Sequence, residues 1–227
     1  MKYDFYDREE YYKPKIASKV RDILHRRLLK NILPPRKALE IGVGFGEFAH
    51  FCRDNHIDYL GIEPNTKLRE KLKEEGFQVL DGLLPRLPEL DRKFDLIFLG
   101  HIIEHLKDYV EVLESLENLK KVLNKNGNII LLYPEVPKTG WLFYHDYTHS
   151  YPTSIRRVEA LLKDSGYSVI ESHNYVSFIV KGAWIFHLLG KIFPYFLFGK
   201  AKRYFWRLSF SMNSFTVAQL KDRKLRK

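Results

Sequence analysis

The chain has 227 residues, of which 45% are hydrophobic and 29% charged, a composition typical of a globular protein with one sizeable core. The single cysteine, Cys52, excludes an intramolecular disulfide and a cysteine-rich zinc module, which is consistent with a reducing compartment. Residues 1–15 contain no apolar stretch of the kind found in signal peptides, so we expect a cytoplasmic protein.

The net charge of +10 is concentrated at the C-terminal end. From Lys181 to Lys227 there are eleven lysines and arginines against the one acid Asp222, so residues 1–180 are balanced in charge. The same end is rich in aromatic residues, among them Trp184, Phe186, Phe193, Tyr195, Phe196, Phe198, Tyr204, Phe205, Trp206 and Phe210. The sequence therefore predicts a neutral body with a basic, aromatic C-terminal segment.

In chain order, the first predicted element is a helix from about Lys15 to Leu29, which the Pro34-Pro35 pair separates from the first predicted strand. We expect residues 1–34 to form an N-terminal helical cap. Apolar runs then alternate with helical patterns: KALEIGV, DYLGIEP, FQVLDG, KFDLIFLG and GNIILLYPE read as strands. This alternation predicts a doubly wound α/β domain over residues 35–180.

Two helices are predicted in the second half of this domain. Leucines and valines at helical spacing indicate a long helix from Leu106, closed at Asn126-Gly127. A further helix is expected from Ser154 to Ser165, and residues 209–227 read as a last strand followed by a basic tail.

A glycine-rich turn follows the first strand in the stretch ALEIGVGFGEF. Gly42, Gly44 and Gly46 permit positive φ and a close approach of backbone to a ligand at the carboxyl edge of the sheet. A dinucleotide fingerprint would place its third glycine at position 47, which holds Glu47. An anionic side chain there is a poor neighbour for a pyrophosphate, so the turn favours a less negative ligand.

Acidic residues follow the next two predicted strands. Glu63 ends the second strand and can accept hydrogen bonds from a ribose diol, and Asp81 before Gly82 can meet an exocyclic amine. Because the carboxyl ends of parallel strands share one edge, we expect these groups and the glycine turn to line one ligand site.

The stretches LEIGVGFG, GIEPN, LDG and FDLIFLGHIIEHL resemble the ordered motifs of class I S-adenosylmethionine-dependent methyltransferases. The resemblance implies a Rossmann-like, mostly parallel, seven-stranded sheet with an antiparallel last strand, and S-adenosyl-L-methionine as cofactor. By the same resemblance, the cofactor-binding residues are Glu40, Gly42, Val43, Gly44 and Gly46 at the methionine part, Glu63 and Pro64 at the ribose, Asp81 and Gly82 at the adenine, and Gly100 and His101 on the floor.

The stretch His101 to His105 also reads as H-x-x-E-H, the inverted zinc-protease signature. That site needs both histidines on one helical face, yet His101 falls on the turn after a strand, so we expect no metal there. We interpret His105 as a structural residue that packs near the cofactor.

The loop FYHDYTHSYPTS after the fifth strand carries the candidate catalytic residues His145, Asp146 and His149. A histidine near neutrality is suited to remove the proton of an alcohol acceptor. The pattern D-x-T-H-x-x-P resembles a bacterial branch of methyltransferases acting on saccharides or lipid-linked precursors. The resemblance places the loop at the acceptor pocket.

The basic aromatic insertion, residues 181–208, leaves three interpretations open. Its aromatic residues can cover the core or a dimer interface, its 182–207 part can lie on an anionic membrane surface, or it can bind RNA. RNA is disfavoured because the rest of the chain is charge-balanced and the segment is rich in aliphatic residues. A membrane contact would make the protein peripheral to the inner membrane face.

These features together predict a methyltransferase that modifies a small polar or lipid-linked acceptor, at a hydroxyl, with a histidine as general base. An RNA methyltransferase is the alternative within the enzymes. A non-catalytic protein that binds the cofactor as a scaffold or sensor is the alternative of a different class.

Overall fold

The computed structural model describes residues 18–176, 180–182, 184–185, 188 and 212–221. The predicted N-terminal cap is therefore described from Ser18 onward. Most of the predicted insertion 181–208, with its membrane and RNA interpretations, lies outside the described residues, as does the basic tail from residue 222. Among the helices that the structure describes, none is long and apolar enough to span a bilayer.

Within the described ranges, seven strands form one sheet in the order β3-β2-β1-β4-β5-β7-β6. Their bounds are β1 Lys37–Ile41, β2 Asp58–Ile62, β3 Val79–Leu80, β4 Phe94–Gly100, β5 Leu123–Pro134, β6 Tyr167–Tyr175 and β7 Asn213–Leu220. β1 to β5 are parallel, whereas β7 lies antiparallel between β5 and β6. The predicted doubly wound, mostly parallel seven-stranded sheet with an antiparallel last strand is confirmed.

Six α-helices are described: α1 Ser18–Leu29, α2 Glu47–Asp54, α3 Thr66–Glu74, α4 Tyr109–Val122, α5 Val136–Thr139 and α6 Ile155–Asp164. Ser154 caps α6 by accepting from Arg157 N, so the predicted helix after the loop is present. α1 ends at Leu29 as expected, and the Arg27 guanidinium docks it on the sheet by a two-pronged contact with Glu171 of β6 at 3.1 and 2.9 Å.

The bounds predicted for the long helix were wrong at both ends. Asp108 Oδ1 accepts from the amides of Val110 and Glu111 and so caps a helix that begins at Tyr109, not at Leu106. The helix ends at Val122 rather than at 126–127, because Leu123 already pairs with Phe94 as the first residue of β5.

Alternate residues of the central strands pack into apolar layers on the two faces of the sheet. Leu39 and Ile97 face the layer closed by α4 and α6, while Ala38 and Leu96 face the layer closed by α1, α2 and α3. All four are fully buried. With both faces covered, the carboxyl edge shared by β1, β2, β4 and β5 is where polar side chains can meet a ligand.

Candidate functional site

The glycine turn after β1 holds three positive-φ glycines, Gly42, Gly44 and Gly46, at φ 73°, 55° and 82°. A Cβ on Gly42 would lie 2.0 Å from Cδ1 of Ile102, so any side chain at position 42 would clash with Ile102 and glycine is required there. A Cβ on Gly44 would meet no atom of the described residues within 4 Å. The Gly44 backbone therefore borders open space, as a ligand-binding turn requires.

Glu63 lies directly after β2 with 5% of its surface exposed. Its Oε2 accepts from the Gly44 amide at 3.0 Å and its Oε1 from the Asn65 amide at 2.9 Å. Burial raises the pKa of this carboxyl, and the amide hydrogen bonds only partly offset the increase. The carboxyl oxygens have acceptor capacity beyond these two hydrogen bonds, which fits the predicted ribose diol.

Glu40 is buried beside the turn, and its Oε2 accepts a 2.6 Å hydrogen bond from the Tyr59 hydroxyl. Burial raises the pKa of Glu40 well above its usual range, and the charges of Glu63 and Glu47 raise it further. Three carboxyls thus share one small region, where a cationic sulfonium or ammonium group would be favoured. Val43 is buried and packs against Gly61 of β2, so its side chain belongs to the core.

Asp81 and Gly82 follow β3 as predicted, and the structure adds Arg69, which sequence reasoning missed. Arg69 Nη1 pairs with Asp81 Oδ1 at 2.9 Å and donates to the backbone oxygens of Glu63 and Pro64 at 2.8 and 3.3 Å. Gly82 is packed against Pro88 and Ile62, as an added Cβ would lie within 3 Å of both. Arg69 therefore joins the ends of β2 and β3. The indication in the sequence was the position of Arg69 one turn into α3, from which it faces the ends of β2 and β3.

Gly100 ends β4 and His101 follows it, with φ 60° and its amide donating to Leu132 O at 2.9 Å. The ring Nδ1 lies 3.0 Å from Glu104 Oε1, and the ring Nε2 lies 3.4 Å from the Tyr175 hydroxyl. Burial alone would raise the pKa of Glu104, but the His101 hydrogen bond and the charges of His101 and His105 outweigh it, so the pKa is lowered. Glu104 and Tyr175 are site residues that the sequence reading did not assign.

The H-x-x-E-H stretch does not form the helix that an inverted zinc-protease site requires. Ile103–His105 is a single 3-10 turn, and His101 lies outside it in the left-handed region. The His101 ring is engaged by Glu104 of the same stretch rather than paired with His105 around a common point.

The loop after β5 is hydrogen-bonded to the 3-10 turn Ile103–His105. Its backbone amides at Ser150 and Tyr151 donate to the Glu104 carbonyl at 2.8 and 3.0 Å. Thr148 Oγ1 donates to Asp146 Oδ1 at 2.6 Å and lies 3.0 Å from His105 Nδ1. His105 therefore packs against the loop, and burial lowers its pKa.

The three candidate catalytic residues of the loop, His145, Asp146 and His149, have different surroundings. His149 is partly buried, with Nδ1 2.8 Å from the Phe143 carbonyl, and Asp146 holds the loop through Thr148. His145 is exposed instead, at the end of a 3-10 segment that spans Gly140–His145. Its ring centroid lies 4.5 Å from that of Trp141 in an edge-to-face contact.

Two exposed aromatic residues, Trp141 and Tyr144, share the segment that carries His145. Trp141 is 72% exposed and Tyr144 is 61% exposed, although both belong to a folded segment that begins after the carboxyl end of β5. Exposed aromatic faces beside a histidine form a platform on which a ring-shaped polar ligand could rest. We call Trp141, Tyr144 and His145 the aromatic platform.

Comparison with known proteins identifies a family. The profile of the family described as "Methyltransferase domain" matches residues 11–172, which is well over half of the chain. An uncharacterised protein of Methanocaldococcus jannaschii is 33% identical over 94 residues, 41% of this chain and 39% of that protein. An uncharacterised methyltransferase of Oceanobacillus iheyensis is 32% identical over 96 residues, 41% of this chain and 45% of that protein.

A solved structure shows the same fold. The S-adenosylmethionine-dependent methyltransferase of Archaeoglobus fulgidus superposes with a TM-score of 0.62 at 19% identity, over 96% of this chain and 99% of that one. The alignments with the two curated relatives span less than half of the length of either. The family expected from the motifs, with S-adenosylmethionine as the cofactor of the domain, is confirmed.

Proposed function

The chain belongs to the methyltransferase-domain family, and on this premise we propose that it moves a methyl group from S-adenosylmethionine to a hydroxyl of a small, saccharide-like acceptor. The observation that carries the proposal is the aromatic platform, Trp141, Tyr144 and His145, on the segment after β5. Aromatic faces pack on the apolar faces of sugar rings, and an adjacent imidazole can take a hydroxyl proton.

The residues around the glycine turn fit the cofactor. The open side of Gly44 admits the ligand close to the backbone, and the Glu63 carboxylate has acceptor capacity for the two ribose hydroxyls. The charge of the neighbouring Glu47, which helps to raise the pKa of Glu40, would favour the cationic end of the ligand in this region. When bound, the cofactor supplies a methyl group on a positively charged sulfur.

The chain's own part in the reaction is alignment and proton removal. The acceptor oxygen would take the methyl group that the bound cofactor supplies, and the chain would hold that oxygen in line with it. The imidazole of His145 would accept the hydroxyl proton as the methyl group is transferred. Trp141, in contact with His145, would orient both the imidazole and the acceptor ring, and such alignment is a large share of catalysis in displacements.

A lipid-linked acceptor is the finer form of this proposal, and it rests on the composition of residues 182–207. Anionic lipid would add about 1 kcal/mol per basic residue near the surface, while the Trp and Phe residues enter the interface. Flotation of the full chain with vesicles of phosphatidylglycerol and phosphatidylcholine tests it. Co-flotation that salt reduces would support the lipid form, and its absence would leave a free acceptor.

The experiment on the hydroxyl acceptor compares wild type with His145→Ala and, as a matched control, His173→Ala, an exposed histidine on β6. Release of S-adenosylhomocysteine is followed with a panel of saccharides, lipid-linked sugars and bulk tRNA. We expect turnover with a sugar hydroxyl, lowered about 100-fold or more by His145→Ala and little changed by His173→Ala, with equal cofactor affinity in all three.

Three results would contradict parts of this proposal. Equal turnover of His145→Ala and wild type would remove His145 as the base. Methyl transfer to tRNA alone would assign the enzyme to RNA. Tight cofactor binding with no transfer to any acceptor would favour the sensor alternative.

A further inference from the structure

Glu104, His105 and His149 bring three potential metal ligands together beside the acceptor loop. One ligand atom from each residue lies within 4.8 Å of those of the other two. Glu104 and His105 come from the 3-10 turn after β4, and His149 comes from the loop after β5, 44 positions further along the chain. The cluster is thus formed by the fold and belongs to neither the glycine turn nor the aromatic platform.

In both His105 and His149, the Nδ1 atom forms a hydrogen bond within the protein, which leaves Nε2 as the atom that could bind a metal. His149 Nδ1 must donate to the Phe143 carbonyl, since a carbonyl only accepts. The Thr148 hydroxyl gives its proton to Asp146, so it accepts from His105 Nδ1. In each neutral ring the Nε2 atom then carries a lone pair, which is the form that binds a metal.

The Glu104 carboxylate is the group of the cluster that most requires a cation or a hydrogen-bond donor. Glu104 is 0% exposed, and its Oε1 is paired with His101. Its Oε2 is buried and has no hydrogen-bond partner among the residues that the structure describes. A buried, ionised oxygen without a partner is strongly unfavourable unless a cation or a donor reaches it.

We propose that Glu104, His105 and His149 bind one divalent transition-metal ion, with Zn²⁺ the best match. Two imidazole nitrogens and one carboxylate oxygen form a ligand set common in zinc sites, and it leaves a position open for water or substrate. The site revises the sequence expectation of no metal. It takes Glu104 and His105 from the H-x-x-E-H stretch, and it replaces His101 by His149.

Residues around the cluster hold the three ligand side chains in place by hydrogen bonds. Asp146 reaches His105 through Thr148, Phe143 holds His149 by its carbonyl, and His101 holds the other oxygen of Glu104. Asp146 Oδ2 lies 3.9 Å from His149 Nε2, at the edge of the site. A bound ion would therefore fasten the acceptor loop to the end of β4.

The test uses the full chain, stripped of metal with a chelator and then titrated with Zn²⁺, and in parallel with Co²⁺ to read its d–d absorption. Glu104→Gln and His149→Asn remove one ligand each. His56→Asn is the matched control, because His56 is exposed on a turn at φ 56°, a conformation that asparagine tolerates. S-adenosylhomocysteine is titrated into the same samples.

We expect wild type and His56→Asn to bind one equivalent of Zn²⁺, and both ligand variants to bind it at least about 10-fold more weakly. Equal Zn²⁺ affinity in all four proteins, or no Zn²⁺ bound by folded wild type, would overturn the site. If the ligand variants do not fold, the wild-type Co²⁺ spectrum decides: a tetrahedral band at one equivalent supports the site, and the spectrum of hydrated Co²⁺ overturns it.

The cofactor titration separates this inference from the proposed function. Binding of S-adenosylhomocysteine by a protein that binds no metal would remove the metal site alone. Metal binding at one equivalent without cofactor binding would leave the metal site standing and remove the methyltransferase proposal.

Discussion

The backbone amide of Gly44 donates a hydrogen bond to Glu63 Oε2 over 3.0 Å, and so joins the end of β1 to the end of β2. The contact forms because Gly44 has φ 55°, which turns its amide toward the neighbouring strand end. The carboxylate expected at the ribose is therefore oriented by the turn expected at the methionine part. A change in either residue should disturb the other half of the cofactor site.

Gly44→Ala tests whether the open space beside the turn belongs to the ligand. An alanine at φ 55° costs about 1–2 kcal/mol of strain. Its Cβ meets no atom within 4 Å in the part of the chain that the structure describes, but it enters the space assigned to the cofactor. We expect cofactor affinity to fall at least about 10-fold, together with this modest loss of stability.

Gly166→Ala is the matched control for that substitution. Gly166 has φ 83°, its Cβ would also meet nothing within 4 Å, and it lies in the turn after α6. Urea denaturation should show a similar loss in both variants, while titration with S-adenosylhomocysteine should show weak binding for Gly44→Ala alone. Equal affinity in the two variants would mean that the ligand does not approach Gly44.

Glu40→Gln tests the charge of the buried carboxyl. Burial, with the charges of Glu63 and Glu47, raises the folded-state pKa of Glu40, while the unfolded value stays near about 4.3. The stability that this group contributes is complete below the unfolded pKa and is lost as pH rises through the raised folded pKa. Each unit of difference is worth about 1.4 kcal/mol.

Glutamine has no such titration, so its stability relative to wild type should increase as pH rises from about 5 to 8. Its side-chain oxygen can still accept the Tyr59 hydrogen bond, which keeps the packing similar. Urea unfolding of both proteins at several pH values measures the difference. Parallel curves over this range would show that Glu40 is ionised in the folded protein without penalty.

Thr216→Val tests a buried polar contact that ties β7 to β5. The Tyr133 hydroxyl lies 2.6 Å from Thr216 Oγ1, and both residues are fully buried. Valine would remove this partner from the Tyr133 hydroxyl, and also from the Ser172 hydroxyl at 3.0 Å, at a cost of about 1–3 kcal/mol in the free energy of unfolding. Tyr133→Phe in the same background should cost little more, since the Tyr133 hydroxyl has already lost Thr216 as its partner. Additive losses in the double variant would contradict this coupling.

The sheet and the cofactor edge could be predicted because their signals are local. Short apolar runs indicated the parallel strands. Gly42, Gly44 and Glu63 could be assigned to the ligand edge because they directly follow the predicted strands β1 and β2. The helix α4 was predicted too long, because Leu123 continues the helical spacing while its backbone already pairs with β4. Pairing between strands overrides a pattern that fits either structure.

The contacts across the loop could not be predicted, because they join residues that are distant in sequence. His149 meets Glu104 and His105 only after β4 and β5 are paired, and nothing in the loop sequence shows this contact. The loop sequence also could not separate exposed His145 from partly buried His149. Arg69 was missed because arginine on a helix surface is usually solvated, whereas here it joins two strand ends.

The most direct test of the central claim is calorimetric titration of the full chain with S-adenosylhomocysteine, for wild type, Glu63→Ala and Glu70→Ala. Glu70 is an exposed glutamate on α3, paired with Lys73, and serves as the matched control. We expect micromolar binding by wild type and Glu70→Ala, and a loss of about 10-fold or more in Glu63→Ala, since hydrogen bonds to a charged group are worth about 1.5–3 kcal/mol each. No binding by folded wild type, or equal binding by Glu63→Ala, would contradict the assignment of this edge as the cofactor site.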